Sequence, residues 1–424
     1  MRIQGHDGLP VSWRLLSILL ALLAPGAAAE TMLTLPEAEE LALASDPQVR
    51  AYESQATAYS ERSIAEGQWA DPQLKVGIDN LPADSFSRTD DDMTQIVVGV
   101  QQALPRGKTL RFRSEQMSSL SRAEAARAAN RRLLVLQSVR TAYLELYRLT
   151  RAAELVAENR ALYDELRQIT ERQYAAGRDN HHDVIRAQLE LSLLDDRVAQ
   201  AGIDRDRARA ELGRWVTPEQ GARPLPTELP ALPEPRPKTA IAAALPRHPL
   251  IDIEDAMVEA GEKSVAIAGE QYKPAFMVDM SYGQRGGDMD DGSGRPDMLS
   301  AMVTMDLPLF RAQRQDRNLA ASRAEVSAAA YNRADRLKEL TRSLDAEHAA
   351  FERMGERLRV FESQTMAESR QNVDATMTAY ETGRTEFNDI LRARATDLDT
   401  RLALLQIRVE RARAAVNLRY LAGE

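Results

Sequence analysis

A short motif that occurs twice constrains the fold more than any other feature of this chain. Residues 174–186 recur as residues 380–392, at an interval of 206 positions. Each copy places one glycine, Gly177 or Gly383, inside a long stretch of helix-forming residues. Glycine enters positive φ without the steric cost that a Cβ atom imposes, so it commonly ends helices. We therefore predict that each copy is the tip of a helical hairpin and that the chain builds two hairpins.

Proline positions extend this duplication along the chain. No proline occurs in residues 106–217 or after residue 308, and these stretches are predicted to be helical because proline inside a helix costs about 3 kcal/mol. Two structural repeats are predicted, residues 30–217 and 239–424, joined by a proline-rich linker over residues 218–238. The matched prolines, offset by 202 or 203 positions, are Pro47 with Pro249, Pro72 with Pro274, and Pro105 with Pro308.

Each repeat is predicted to contain a short helical segment, two strands, a long helix, the tip and a final helix. Apolar and polar residues alternate with period two over residues 74–79, 96–101, 276–283 and 300–307, which is the pattern of strands. Apolar and small residues recur every three or four positions over residues 398–416, as in coiled coils. The predicted fold class is mainly α, with long coiled-coil hairpins and four strands.

Composition excludes several partners and chemistries. A formal net charge of −9 over 424 residues argues against nucleic acid as a partner. The absence of cysteine excludes disulfides, thiolate nucleophiles and cysteine-ligated metals. The sequence also contains no H-E-x-x-H motif, phosphate-binding glycine loop or G-x-S-x-G elbow. We therefore expect neither enzymatic activity nor a cofactor.

The N-terminus, residues 1–29, has the pattern of a cleaved signal peptide. Arg2 and Arg14 precede an apolar run over residues 15–23, and small residues follow as far as Ala29. This run is too short to cross a bilayer, which takes about 20 apolar residues. We predict cleavage after Ala29 and export. Because no cysteine follows the cut, we expect an unlipidated mature protein.

The alternating strands admit two interpretations, a half-buried soluble sheet or the wall of a membrane β-barrel. We expect strands of about 9–11 residues, the length of tilted membrane strands, and the barrel is therefore favoured. Single-chain barrels begin at about 8 strands, so four strands must close with strands from other subunits. The geometry therefore predicts an oligomer.

Two groups of side chains could bind metal ions, although an exposed or apolar role is favoured for both. His181 and His182 follow the first tip, but adjacent helical residues point about 100° apart and no full ligand set accompanies them. Met277 and Met302 in the second strand pair could offer thioethers to a soft ion such as Cu(I). His248 is expected beside prolines in the linker region. No metal site is predicted.

Asp183 and Asp389 each lie six positions after a tip glycine. Around an oligomer they could form an acidic constriction that selects cations. Alternatively, each carboxylate complements the positive end of its helix dipole, an effect of about 0.3–1 kcal/mol. The sequence leaves both interpretations open.

The duplicated Tyr-x-x-Gly tips, the two strand pairs and the mid-chain linker together resemble the TolC family of outer-membrane efflux channels. The resemblance covers residues 33–423. It implies a homotrimer with a twelve-stranded barrel in the outer-membrane lipid and an α-helical barrel across the periplasm. It also implies a periplasmic adaptor (membrane fusion protein) docked at the tips and an inner-membrane pump of the RND type. The docking residues that motif position implies are Tyr174, Gly177, Tyr380 and Gly383.

The same resemblance implies that carboxylates close the channel at the positions of Asp183 and Asp389. A second pore aspartate of some family members corresponds here to Arg392, and its counterpart in the first repeat is Arg186. An ion pair between Asp and Arg residues of neighbouring hairpins is therefore our hypothesis for the gate.

Residues 77–86 and 104–107 are similar to the heavy-metal (CzcC-like) branch of this family. The predicted function is a passive exit duct of a tripartite efflux system, for heavy-metal ions or small toxic molecules. The alternative is a soluble periplasmic coiled-coil scaffold or adaptor, in which the strands form a small sheet.

Overall fold

The computed structural model of the protein describes residues 32–177 and 180–424, and the predicted signal peptide lies outside them. The first half of the chain begins with two short helices that meet at Asp46. The Asp46 side chain accepts a hydrogen bond from the Val49 N–H at 2.9 Å, and Pro47 supplies a helical φ at the first position. The elements are α1 (Leu35–Ser45), α2 (Pro47–Glu66), β1 (Gln73–Asp79), β2 (Gln95–Leu104), α3 (Thr109–Ala175) and α4 (His181–Trp215).

A mostly irregular segment then leads into the second half, where the same order of elements recurs. The segment packs on the first half, because Tyr147 and Arg151 of α3 donate hydrogen bonds to the carbonyl oxygens of Thr227 and Pro226, each at 3.1 Å. The elements are α5 (Pro218–Gly221), α6 (Lys238–Ala244), a 3₁₀ turn (Leu245–Arg247), α7 (Pro249–Glu270), β3 (Phe276–Arg285), β4 (Met298–Met305), α8 (Gln315–Val360), α9 (Met366–Glu381) and α10 (Phe387–Ala422).

His248 has a definite structural role that the sequence analysis did not foresee. It is the N-cap of α7, and its Nδ1 accepts a hydrogen bond from the Leu250 N–H at 3.2 Å. Its Nε2 lies 3.1 Å from the Tyr420 carbonyl oxygen at the end of α10, so the ring donates there. The expectation of a position in the linker was wrong: His248 is buried and joins two helices.

A π turn interrupts the long helix of the second half. This turn, Phe361–Thr365, joins α8 to α9, whereas α3 runs without interruption through the equivalent positions of the first half. Its hydrogen bond runs from the Met366 N–H to the Phe361 carbonyl, five residues back. Arg408 of α10 forms an ion pair with Glu362 in the turn at 2.6 Å.

The four strands form one antiparallel sheet in the order β1-β2-β3-β4. The register pairs Val76 with Val98 and Val98 with Tyr282, so the alternating apolar residues of successive strands share one face. The other face is polar and carries an ion pair between Lys75 and Asp279. The predicted alternation is confirmed. The expected strand length holds only for the inner strands, since β1 has 7 residues and β4 has 8.

Within the described residues, three apolar clusters hold the helices together. One lies between α1, α3, α4 and α10 around Tyr143 and Leu212, and another between α6, α7, α8 and α10 around Ile251 and Leu344. The third lies near the tips and contains Tyr163, Leu166, Ala187, Leu194, Tyr380, Phe387, Ile390 and Leu391. Within the described residues, no helix is both long enough and apolar enough to cross a bilayer.

Candidate functional site at the helical tips

Both hairpin tips turn on a glycine with positive φ. The φ angle is +73° at Gly177 and +68° at Gly383, and each glycine donates its N–H to the carbonyl of the tyrosine three residues before it, at 2.9 Å. A residue with a Cβ atom is strained in this conformation, which explains why both copies of the motif carry glycine here.

The two tip tyrosines occupy equivalent positions but different environments. Tyr174 is 46% exposed, and its ring centroid lies 5.3 Å from that of His181. Tyr380 is 6% exposed, and its ring centroid lies 5.9 Å from that of Phe387. Its hydroxyl donates a hydrogen bond to Gln173 Oε1 at 3.2 Å. The repeat therefore preserves a ring pair at each tip, one in solvent and the other inside the core.

The tip cluster also joins the two hairpins through a polar contact. The Tyr163 hydroxyl on α3 donates to the Leu391 carbonyl on α10 at 3.1 Å, and burial raises the pKa of Tyr163 to about 12. A neutral, donating phenol at this position fixes the height of one hairpin relative to the other.

Asp389 lines a groove of about 470 Å³ between α9 and α10 at the second tip. The Thr385 hydroxyl donates to Asp389 Oδ2 at 2.5 Å and lowers the pKa of Asp389, and Arg392 lowers this pKa by a smaller amount. The carboxylate is therefore ionised at neutral pH. The groove is otherwise polar or small, lined among others by Asn372, Thr376, Ala379, Arg392, Ala393 and Thr396.

The four residues of the gate hypothesis are not paired within the described part of one chain. Asp183 and Arg186 are half-buried on α4, and Arg392 is exposed on α10. Among the described residues, no ion pair of 4.0 Å or less joins any two of the four gate residues. Asp183 and Asp389 both lie in the first turn of their helices, where each complements the helix dipole.

The candidate metal ligands remain dispersed. His181 and His182 are both exposed at the start of α4. Met277 and Met302 lie on the polar face of the sheet, and Gln101 Nε2 donates to Met277 Sδ. Within residues 32–177 and 180–424, no three histidine, aspartate or glutamate side chains form a group suited to a metal ion.

One polar group near the tips was missed in the sequence. Asp397 is buried on α10, accepts a hydrogen bond from Ser369 Oγ of α9 at 3.1 Å and lies 2.8 Å from Arg401 Nε. A buried carboxylate with two partners fastens the two helices just above the groove. Its signal in the sequence was an aspartate directly before Leu398, the first residue of the apolar series on α10.

The comparison with known families now identifies the class of protein. The family described as outer membrane efflux protein matches residues 39–216 and again residues 240–424. The chain therefore belongs to the outer membrane efflux protein family, as the resemblance to TolC predicted. Members of this family are channels rather than enzymes, and this membership favours an outer-membrane location over a soluble periplasmic scaffold.

Solved structures of outer-membrane proteins share the fold. VceC from Vibrio cholerae has 19% sequence identity and a TM-score of 0.77, and the match covers 92% of this chain and 96% of VceC. The CmeC outer membrane channel of Campylobacter jejuni has 15% identity and a TM-score of 0.77, with 99% and 94% covered. The outer-membrane channel OprN has 20% identity and a TM-score of 0.75, with 92% and 89% covered. No curated protein matches the chain.

Proposed function

We propose that this protein is the outer-membrane exit duct of a tripartite efflux system. Three copies form the duct, a periplasmic adaptor docks at its helical tips, and an inner-membrane pump of the RND type drives the transport. The duct itself performs no reaction. Its cargo is heavy-metal ions or small toxic molecules, a range that follows from the similarity to the CzcC-like branch.

The observation that carries this proposal is the exposed apolar face of the sheet. Val76 is 69% exposed, Leu299 is 75% exposed and Val303 is 66% exposed, and all three lie on the same face. An apolar surface of this extent is unfavourable in water, whereas lipid would cover it at no such cost. The polar face with Lys75 and Asp279 would then line the duct.

The edges of the sheet support assembly from several copies. β1 and β4 are the edge strands, and their outer hydrogen-bonding groups have no strand partner among the described residues. Lipid cannot satisfy these groups, so a sheet inside a membrane must close on itself. Pairing β4 of one copy with β1 of the next gives a closed wall, and three copies contribute twelve strands.

The tips support a gate and a docking surface at the opposite end. The groove beside Asp389 is open and polar, and Arg392 lies in it without an ion pair among the described residues. Asp183 and Arg186 of a neighbouring copy would supply the missing partners when three pairs of hairpins converge. The adaptor would dock on the tips around Tyr174, Gly177, Tyr380 and Gly383, where Tyr174 presents an exposed ring.

Conductance in planar bilayers tests the duct and its gate. The wild-type protein should form channels of low conductance, and Asp389→Ala or Arg392→Ala should raise that conductance because each removes one partner of the closing ion pairs. The matched controls are Asp374→Ala and Arg370→Ala on the exposed side of α9, which remove the same charges outside the groove.

Two results would overturn parts of the proposal. A protein that runs as a monomer and gives no conductance is not a duct. Unchanged conductance in both groove variants, or an equal rise in the controls, would remove the ion-pair gate and leave the duct standing. Fractionation gives an independent check, because a duct stays with the outer membrane when the periplasmic contents are released.

A further inference from the structure

Four helices next to the sheet form a row whose concave side carries a polar cavity. α2 packs on α3, α3 on α7, and α7 on α8. A cavity of about 680 Å³ is lined by residues from all four helices, from Glu66 on α2 to Glu325 on α8. Because both outer helices of the row reach this cavity, it lies on the concave side. In the proposed function that side faces the lumen of the duct.

A second cavity, of about 420 Å³, adjoins the first where the helices meet the sheet. The two cavities share Arg113 of α3, Ile267 of α7 and its C-cap Gln271, and Asn318 of α8. We name this second cavity the junction cavity. Its remaining walls come from the segments that connect β2 to α3, α7 to β3 and β4 to α8.

The junction cavity is lined by cationic side chains, of which only Arg314 lacks an ion pair among the described residues. Arg106, Arg113 and Arg314 line it, and no acidic side chain does so among the described residues. Arg106 is paired with Asp306 at 2.7 Å and Arg113 with Glu66 at 3.5 Å. Arg314 has no ion pair of 4.0 Å or less within the described part of the chain. A desolvated anion would be attracted here, and a bare metal cation would be repelled.

Two helix N-termini add to the positive potential. α3 begins at Thr109 and α8 begins at Gln315, and both residues line the cavity. Neither helix has a side-chain cap. The Thr109 and Asp316 N–H groups donate to the carbonyl oxygens of Arg106 and Arg311, and the other N–H groups of the two first turns remain available to an anion. Asp316, in the first turn of α8, does not line the cavity, and its carboxylate accepts a hydrogen bond from the Tyr272 hydroxyl at 2.5 Å.

Gln315 adds an independent sign of a missing ligand. The residue is only 5% exposed, and its Oε1 has no hydrogen-bond partner among the described residues. Leaving a buried polar atom without a partner costs about 1–3 kcal/mol, so such atoms are rare and point to an absent partner. Oε1 can only accept, so the ligand must bring a donor as well as negative charge.

We propose that the junction cavity binds an oxyanion that keeps a proton at neutral pH, namely hydrogenphosphate. Arg314, assisted by Arg113 and the two helix N-termini, holds the anionic oxygens. The P–OH group donates to Gln315 Oε1. The binding surface exists in a single chain; only its position in the lumen rests on the proposed function.

Isothermal titration calorimetry of the purified full-length protein with inorganic phosphate or sulfate tests this site. Both anions are divalent near pH 8, but only hydrogenphosphate carries a donor, so phosphate should bind and sulfate should bind more weakly. Arg314→Ala should weaken phosphate binding about tenfold or more, the usual effect of losing a hydrogen bond to a charged group. Gln315→Met should abolish the preference for phosphate over sulfate.

Arg317→Ala is the matched control. Arg317 is exposed on the same helix and lines neither cavity, so this variant removes the same charge and should leave phosphate binding unchanged. Equal losses in the Arg314 and Arg317 variants, equal affinity of the wild type for both anions, or no phosphate binding would each overturn the proposal. A protein that conducts but does not bind phosphate loses only this inference. One that binds phosphate without conducting loses the proposed duct instead.

Discussion

Tyr174 and Tyr380 occupy equivalent positions 206 residues apart, yet 46% of one side chain and 6% of the other is exposed to solvent. Their ring partners also differ in exposure. The exposed His181 at the first tip corresponds to the buried Phe387 at the second. The first tip thus presents a polar aromatic pair outward, while the second turns its pair into the core. Duplication preserved the backbone of the hairpin and left its surface free to diverge.

The helices behind the tips diverge in the same direction. α3 has buried residues along most of its length, where it packs on α2, α4, α7 and α10, whereas the described part of α8 is buried only at Gln315, Leu340 and Leu344. The second long helix therefore exposes more of its surface within one chain.

The largest expected difference between the tips concerns their ring partners. Phe387→Ala should lower the free energy of unfolding by about 3–5 kcal/mol, because it empties a fully buried site in the tip cluster. His181→Ala should change it by less than about 0.5 kcal/mol, because the imidazole is exposed. Chemical denaturation of the detergent-solubilised protein measures both. Similar losses at the two positions would show that the tips are equally buried in the assembly.

Asp46 and His248, the N-caps of α2 and α7, should make the stability of the protein depend on pH in different ranges. Burial lowers the pKa of His248 below its ordinary 6.5, and the bond to the Tyr420 carbonyl only partly offsets this effect. Burial raises the pKa of Asp46, but the hydrogen bonds from Arg131 and Val49 outweigh it and bring the pKa below 3.8. Both caps therefore stabilise the protein in the unprotonated form.

These two caps should fail in different pH ranges. The unfolded chain binds a proton at His248 near pH 6.5 and the folded chain does not, so stability is full above pH 6.5 and decreases as the pH falls further. Asp46 loses its contribution only below pH 3.8. Between pH 5 and pH 7, His248→Asn should make the unfolding free energy depend less on pH. Asp46→Asn should leave that pH dependence unchanged over the same range. If the unfolding free energy of His248→Asn still changes with pH over this range, groups other than His248 cause that pH dependence.

The smallest expected effect is a loss of stability that should be equal at the two tips. Gly177→Ala and Gly383→Ala should each destabilise by about 1–2 kcal/mol, because alanine is strained at positive φ even where space is open. Gly202→Ala in the interior of α4 is the control, with open space but no positive φ, and should stabilise by about 0.5–1 kcal/mol. Unequal losses at the two tips would mean that one glycine is needed for contact rather than for conformation.

Local sequence patterns predicted those parts of the fold that depend on local physics. Glycine at the tips, proline at helix starts and alternation in the strands each reflect a backbone constraint that acts within a few residues. The different burial of Tyr174 and Tyr380 was not predictable, because it depends on which helices pack around two nearly identical motifs. The role of His248 was missed for the same reason, since its partner Tyr420 lies 172 residues away. The gate residues form no ion pair with one another within the described part of one chain, so their role stays a prediction.

The π turn explains an irregularity in the spacing of apolar residues along the second long helix. Leu344, Phe351 and Leu358 are seven residues apart, and so are Val373 and Tyr380, but Leu358 and Val373 are separated by fifteen residues, one more than two heptads. The wider turn at Phe361–Thr365 accommodates this skip residue. The apolar residues of α8 and those of α9 therefore face the same side, toward α10. One continuous heptad repeat does not describe both helices.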